Sequence, residues 1–184
     1  MQRDLVERAM VGDHEAFSEL TRLSTAKLYT IARLILRDSE RAQDAVQEAL
    51  VAAWRQLRAL RDPDRFDAWL RHLLVRACYR EARREQRRRT IESHVRPIET
   101  TTPDPGTTVA DEDEVARIFM RLTPEQRALI VLHYYLGLPM QETSEILGIP
   151  VGTVKSRLNR TLQQMRATAE ADARLPLVAG RQVS

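Results

Sequence analysis

Four arginines, Arg76, Arg80, Arg83 and Arg87, recur at i, i+4, i+7 and i+11. On a helix that spacing lines one side with guanidinium groups, whose planar forks suit phosphate oxygens. Arg84, Arg88 and Arg89 thicken the same stretch, relieved only by Glu81 and Glu85. A helix end gains from a few cations through its macrodipole, but seven arginines exceed what that requires. The ladder therefore predicts contact with a phosphate backbone and an affinity that falls with salt as counterions are released. Just before it, Arg58, Arg61 and Arg65 flank Asp62-Pro63-Asp64, which breaks the helical rhythm. Arginines on such a loop can stack on an unpaired base or hydrogen-bond to its edge.

A second set of donors lies in Met140–Arg166, MQETSEILGIPVGTVKSRLNRTLQQMR. Met140, Ile146 and Leu147 give a short first helix its apolar side, with small Thr143 and Ser144 between them. Gly148 stands where that helix must stop and the chain reverse, a place for a residue that tolerates positive φ. Val151, Val154, Leu158, Leu162 and Met165 then follow at spacings of three and four, one apolar stripe of a second helix. Thr153, Lys155, Ser156, Arg157 and Arg160 are left outside it. Two short helices, a glycine turn and early exposed donors predict a helix-turn-helix whose second helix enters the major groove. There lysine and arginine reach phosphates and guanine edges. The plainer alternative is a helical hairpin with a solvated basic face.

Asp44, Gln47 and Glu48 form a third cluster, opposite the apolar stripe of their own helix. Asp44 and Glu48 lie one turn apart and repel mildly, by a few tenths of a kcal/mol. Taken alone they are most simply a solvated face; the alternative is a contact for a basic protein partner. No other chemistry is indicated. His14, His72, His94 and His133 lack metal-ligand spacing, and no phosphate-binding glycine loop, nucleophile elbow or catalytic carboxylate pair is present. The sequence implies no metal, no cofactor and no enzymatic activity.

The elements that must position these clusters read as helices throughout, with no strand alternation. Leu5, Val6, Ala9 and Met10 make a short first helix that Gly12 ends, and Asp13 is placed to cap the next. That helix would bury Phe17, Leu20, Leu23, Leu28, Ile31, Ala32 and Ile35. Asp38 or Ser39 opens a third, with Ala42, Ala45, Val46, Ala49, Leu50, Ala53, Trp54 and Leu57 in three-four rhythm. A fourth runs from Phe66 to about Arg89, with Phe66, Trp69, Leu70, Leu73, Leu74, Ala77 and Ala82 inward. Thr123-Pro124-Glu125-Gln126 is a capping signature. Ala128, Leu129, Val131, Leu132 and Tyr135 are expected to bury the helix it starts, and Gly137 to end it.

Charge divides the chain of 184 residues in the same way. Residues 1–90 carry 19 basic against 14 acidic side chains, 91–114 one against seven, and 115–184 nine against five. Two basic blocks on an acidic, Thr- and Pro-rich connection predict two nucleic-acid-facing modules on a flexible linker. The expected layout is a helical domain over 1–90, the linker over 91–114, a helix-turn-helix domain over 115–174 and a tail over 175–184. Cys78 has no second cysteine to pair with, which fits a reducing compartment, and no apolar run is long enough to span a bilayer. A cytoplasmic protein with no membrane insertion is expected.

The strings QDAVQEALVAAWRQL, FDAWLRHLLVRACYREARREQRR and LTPEQRALIVLHYYLGLPMQETSEILGIPVGTVKSRLNR together resemble bacterial sigma factors. The two-domain layout is similar to the extracytoplasmic-function group, which keeps only regions 2 and 4 of the larger family, and the match runs over roughly 5–170. The resemblance implies an all-α fold of a region 2 four-helix bundle and a region 4 helix-turn-helix. It implies that Asp44, Gln47 and Glu48 meet a coiled coil of the polymerase β′ subunit. The non-template strand of the −10 element would be captured by Arg58, Arg61, Arg65, Arg76, Arg80, Arg83, Arg84 and Arg87. Thr153, Lys155, Ser156, Arg157 and Arg160 would read the −35 element. The implied partners are core RNA polymerase, through its β′ coiled coil and β flap, promoter DNA, and an anti-sigma factor. Two rivals remain: a dimeric helix-turn-helix regulator with an N-terminal sensor, and an adaptor whose DNA contacts are incidental.

Overall fold

Asp13 accepts hydrogen bonds from the backbone N–H groups of Glu15 and Ala16, both 3.0 Å, and Asp38 does the same for Arg41 at 2.9 Å. Each cap satisfies donors that a helix start leaves without partners, a contribution of about 1 kcal/mol. They open the second and third helices in a computed structural model that describes residues 2–95 and 110–174. The helices are α1 (Gln2–Met10), α2 (His14–Leu36), α3 (Ser39–Gln56), α4 (Phe66–Val95), α5 (Ala110–Met120), α6 (Pro124–Ile130), α7 (Met140–Leu147) and α8 (Val151–Arg174). Two 3₁₀ turns, Leu57–Ala59 and Pro63–Arg65, form the loop between α3 and α4, and a π turn, Val131–Tyr135, follows α6. Among the described residues there is no strand. Helix α4 continues past Arg89 and α5 starts before Val115, so most of the expected linker, like the tail 175–184, lies outside the described residues.

The first four helices bury the residues that their periodicity selects. Leu20, Ile31, Ile35, Ala42, Ala45, Ala49, Ala53, Leu57, Leu70 and Leu74 are all within a few per cent of full burial. Each such leucine or isoleucine contributes roughly 1.5–3 kcal/mol. Leu23 departs from the expected stripe and is half exposed. Helix α4 departs the other way: Val75 and Cys78, off its main stripe, are also buried. Their burial has a cause outside the bundle, since α6 and α7 pack on the far side of α4.

In the C-terminal half, Thr123 and Gln126 form the expected reciprocal capping box, with Pro124 at the first helical position. The helix that it starts does not stay regular. The Leu136 N–H bonds to the Val131 carbonyl at 2.9 Å, an i→i+5 closure. The wider turn breaks the 3.6-residue rhythm, so Tyr135, expected inside, is 60% exposed beside exposed Tyr134. Gly148 ends α7 at φ +66°, the left-handed conformation that its position required. Ser144 Oγ donates to the Ile149 carbonyl at 2.6 Å and closes the turn into α8. Leu129, Val154 and Leu158 form a small core of their own, whereas Ala128, Val131, Leu132 and Ile146 join the core of the N-terminal bundle. The two helical units are thus docked, not merely tethered.

Candidate nucleic-acid and protein-binding surfaces

On α3, Asp44 and Gln47 point to solvent. Glu48 does not stand with them: it is half-buried, with Oε1 accepting from Arg80 Nε at 2.7 Å and Oε2 lying 3.6 Å from Arg84 Nη1. The i, i+4 pair expected from the sequence is thereby separated, since Glu48 leans toward α4 and Asp44 remains free. Beside Gln47 an apolar groove of about 1080 Å³ runs between α2 and α3, lined by Phe17, Tyr29, Val46, Leu50, Val51 and Trp54. Phe17 and Trp54 set its floor with ring centroids 4.9 Å apart. An exposed amide, Gln47, thus lines part of an apolar groove, and the exposed acid Asp44 stands on the same helix.

The arginine ladder is present on α4 but is not uniformly available. Arg80 is drawn to Glu48, and Arg84 to Glu48 and Glu81. Glu85 takes Arg88 at 2.8 Å, Arg89 at 2.6 Å and, across to α3, Arg41 at 3.0 Å. Arg76, Arg83 and Arg87 are exposed and make no ion pair among the described residues. Spaced by seven and four residues, they stay on one face over about 16 Å of helix rise. Cys78, on the inner side of the same helix, is fully buried, and burial pushes its thiol up to about 12, so it offers no reactive thiolate near neutral pH.

The preceding loop is fixed from two sides. Arg3 of α1 binds Asp64 at 2.6 Å, Gln2 binds Asp67 at 2.8 Å, and Asp62 accepts from the Asp64 N–H at 3.0 Å. Arg58 and Arg61 are left exposed. Arg65 is exposed but ion-paired to Glu145 of α7. Arg71, one helix turn and a half further on, pairs with Glu142 of α7 at 2.9 Å, and His72 Nδ1 hydrogen-bonds to the Ile146 carbonyl at 2.7 Å. Sequence reasoning did not single out Arg71, Glu142 or Glu145. The available signal was the apolar character of α4 on two sides, which marks a helix covered twice and makes any charged residue in that stretch a candidate for pairing across the seam.

On α8, Lys155, Ser156, Arg157 and Arg160 are exposed and Thr153 is half-buried. Val154, Leu158 and Thr161 turn inward. The first helical N–H groups, of Thr153 and Val154, bond to the Pro150 carbonyl at 2.8 and 3.0 Å, so the helix start is held by backbone and Ser156 Oγ is returned to the Thr153 carbonyl at 3.1 Å. Lys155, Arg157 and Arg160 make no ion pair among the described residues, and the electrostatic neighbour of Arg157 is Tyr79 of α4. Among those residues there is also no cluster of potential metal ligands and no helix long and apolar enough to cross a membrane.

Residues 20–88 match the family described as sigma-70 region 2, and residues 112–165 match sigma-70, region 4. The chain is similar to the ECF RNA polymerase sigma factor SigM of Mycobacterium tuberculosis, 35% identical over 159 residues that cover 85% of this chain and 79% of that protein. It is similar also to the ECF RNA polymerase sigma factor SigW of Bacillus subtilis, 27% identical over 179 residues, covering 90% of this chain and 95% of that one. Among solved structures, CnrH in complex with the cytosolic domain of CnrY matches with a TM-score of 0.65 and 27% identity, over 93% of this chain and 98% of that chain. The sigma factor RpoE of Bartonella quintana, in complex with the anti-sigma factor NepR, shares the fold with a TM-score of 0.65 at 24% identity, over 85% and 98% of the two chains.

Proposed function

This chain belongs to the extracytoplasmic-function RNA polymerase sigma factors, and from that premise we propose how its surfaces divide the work of transcription initiation. It binds core RNA polymerase, directs it to particular promoters and promotes opening of the DNA. The observation that carries this function is the presence of region 2 and region 4 matches, in that order, in one chain whose relatives cover most of its length. Phosphodiester synthesis belongs to the polymerase and takes place in the cytoplasm, and no catalytic group is needed on this chain.

Polymerase is received by α3. Asp44 and Gln47, exposed beside the α2–α3 groove, support contact with the β′ coiled coil, while Glu48 serves mainly to hold Arg80 and Arg84 in place. Arg76, Arg83 and Arg87 follow the backbone of the −10 element, and Arg58 and Arg61 meet bases of its melted strand. Capture in this way drives opening, because a base held on the protein no longer re-pairs and the contact offsets unstacking. Lys155, Arg157 and Arg160, with Thr153 and Ser156, face the −35 element, and the β flap supports the same unit. The solved neighbours were obtained with CnrY and with NepR, which supports an anti-sigma factor as a further partner.

Run-off transcription tests this reading. Core polymerase is incubated with the chain and total genomic DNA, the bound fragments are sequenced, and transcripts are started from the fragment recovered most. Core enzyme with the chain should initiate at one position, and core enzyme alone should not. Failure of the chain to co-purify with core polymerase would overturn the assignment in favour of a free helix-turn-helix regulator.

A further inference from the structure

The loop between α3 and α4 is anchored by apolar burial at its ends and by polar contacts in its middle. Leu57, Leu60 and Phe66 are 1%, 8% and 2% exposed, and the Leu60 N–H closes the first 3₁₀ turn on the Leu57 carbonyl at 3.0 Å. None of the residues between Leu60 and Phe66 is buried, so no side chain there is held by the core. Within the loop, Asp62 accepts from the Asp64 N–H through its side chain at 3.0 Å and from the Arg65 N–H through its carbonyl at 3.1 Å. The remaining ties come from outside. Arg65 is paired to Glu145 of the C-terminal half, and the others come from α1, within the bundle itself. Arg3 Nη1 donates to Asp64 Oδ2 at 2.6 Å, and Gln2 Nε2 to Asp67 Oδ1, in the first turn of α4, at 2.8 Å.

Helix α1 is suited to hold a loop still. Val6 and Ala9 are buried in the main core, against which Leu5 and Met10 also pack. Its outer face therefore has a fixed position, and Glu7 accepts from Arg3 Nε at 2.9 Å, which directs the rest of the guanidinium fork to Asp64. The far end of the helix reaches the loop as well, so that α1 touches both 3₁₀ turns. Gly12, at φ +102°, follows the helix, and a Cβ there would come within 3.4 Å of Arg58 Nη2. The Arg58 guanidinium thus lies over a turn that presents no side chain to it. Arg58 stands at one contact with α1, and Arg61 stands between that contact and the one at Asp64. An ion pair as exposed as Arg3–Asp64 adds little to stability. What it does change is the share of time that a stretch without a core anchor spends in one conformation.

We propose that Arg3 and Gln2 are positioning residues for strand capture: by holding Asp64 and Asp67 they keep the loop in the conformation from which Arg58 and Arg61 meet unpaired bases. The inference rests on the reading of this loop as part of the −10 surface, and it extends that surface to a helix that itself touches no DNA. Apparent affinity falls with the fraction of chains whose loop is competent. Exposed polar ties shift such a fraction by a few-fold each, so losing both should cost about three- to tenfold in capture of a melted strand. The loss falls on base contacts, whose geometry is exacting, more than on the phosphate contacts that Arg76, Arg83 and Arg87 make from a rigid helix.

The test reads the loop and the strand separately in the full chain, with Arg3→Ala and Gln2→Ala combined; both positions are exposed, so the bundle should keep its fold. In the free chain, solvent exchange of the Asp64 and Arg65 amides, followed by NMR, should quicken by about three- to tenfold, while the Leu60 amide keeps its rate. With core polymerase, the probe is the promoter fragment recovered in the selection above, pre-melted over its −10 element, together with its single-base variants. The double variant should bind the parent strand about three- to tenfold more weakly and discriminate less among the variants, with an unchanged slope of log affinity against log salt. Arg3→Lys on its own, which keeps a cation opposite Asp64, should retain most of the discrimination. Unchanged amide exchange overturns the brace, and faster exchange with capture and discrimination intact overturns the positioning role. A salt slope lowered by about one, with discrimination retained, would make Arg3 a phosphate contact and overturn that role too. A failed −10 reading is told apart because it appears in the unmodified chain, as equal binding of all the single-base variants. Failure of the brace appears in the exchange rates, which involve neither polymerase nor DNA.

Discussion

Helix α4 and helix α8 both present arginines to solvent, but under different conditions. On α4, Glu48, Glu81 and Glu85 hold Arg80, Arg84, Arg88 and Arg89, whereas Arg76, Arg83 and Arg87 make no ion pair among the described residues. On α8, Lys155, Arg157 and Arg160 meet no carboxylate among the described residues. Ion pairs at this exposure are worth roughly 0.2–1 kcal/mol each, less than a charge-assisted contact to phosphate. For the DNA contact proposed above, the pairing on α4 would set a threshold and fix side-chain direction, not block binding. Helix α8 carries no such threshold; under the division of labour proposed above it would read intact duplex, and α4 would meet a strand exposed only after melting. The same contrast holds in the cores. The N-terminal bundle has a broad one, whereas the C-terminal unit's own apolar cluster centres on Leu129, Val154 and Leu158, and its Ala128, Val131, Leu132 and Ile146 belong to the cluster of the bundle.

The largest expected effect breaks the smaller core. Leu158→Asp places a charge where the side chain is 3% exposed, at a cost of roughly 3–5 kcal/mol. Hydrogen exchange should then show α6 to α8 unprotected while α1 to α4 keep their protection. Retained protection across α8 would mean that its inner face has been misread.

Next is the surface that belongs to neither basic helix. Asp44→Arg should weaken binding of core polymerase by about 10- to 100-fold with helicity unchanged, since Asp44 lies off the apolar stripe. Glu48→Gln should do less to polymerase and more to DNA, because it releases Arg80 and Arg84. Equal losses of polymerase affinity in the two variants, measured by fluorescence anisotropy, would show that Glu48 belongs with Asp44 after all.

A third experiment divides α8 itself. Arg157→Ala should lose about 1–3 kcal/mol of discrimination at one base pair of the −35 element, whereas Lys155→Ala should lower affinity alike on every sequence. A panel of single-base promoter variants bound by holoenzyme measures both, and a uniform loss for Arg157→Ala would make it a phosphate clamp.

The smallest effect sharpens the contrast within α4. On a pre-melted promoter, Arg83→Ala should reduce the slope of log affinity against log salt by about one, as for a lost phosphate contact. Arg84→Ala should reduce it by less, since part of that charge is already spent on Glu48 and Glu81. Identical slopes would mean that the ion pairs dissolve completely on binding.

Much of this protein is written in short-range pattern. The stripes of α2 and α3, the caps at Asp13 and Asp38, the box at Thr123 and Gln126, the turn at Gly148 and the exposed Lys155, Arg157 and Arg160 were all legible, because each depends on residues at most a few turns apart. Spacing fixes the face on which a residue lies, and the local backbone then enforces it. What arrives opposite that face is another matter. Glu48 meets Arg80 across 32 residues, Arg71 meets Glu142 across 71, and Arg127 meets the Ile35 carbonyl across 92. No periodicity encodes such partners, since their energies exist only once the chain has closed a loop of that length. The burial of Val75 and Cys78 has the same origin, whereas the outward turn of Tyr135 follows from the local i→i+5 closure on Val131. Sequence alone determined the helices, their faces and the family to which they point; tertiary structure decided which of the exposed charges are free and that the two halves hold each other.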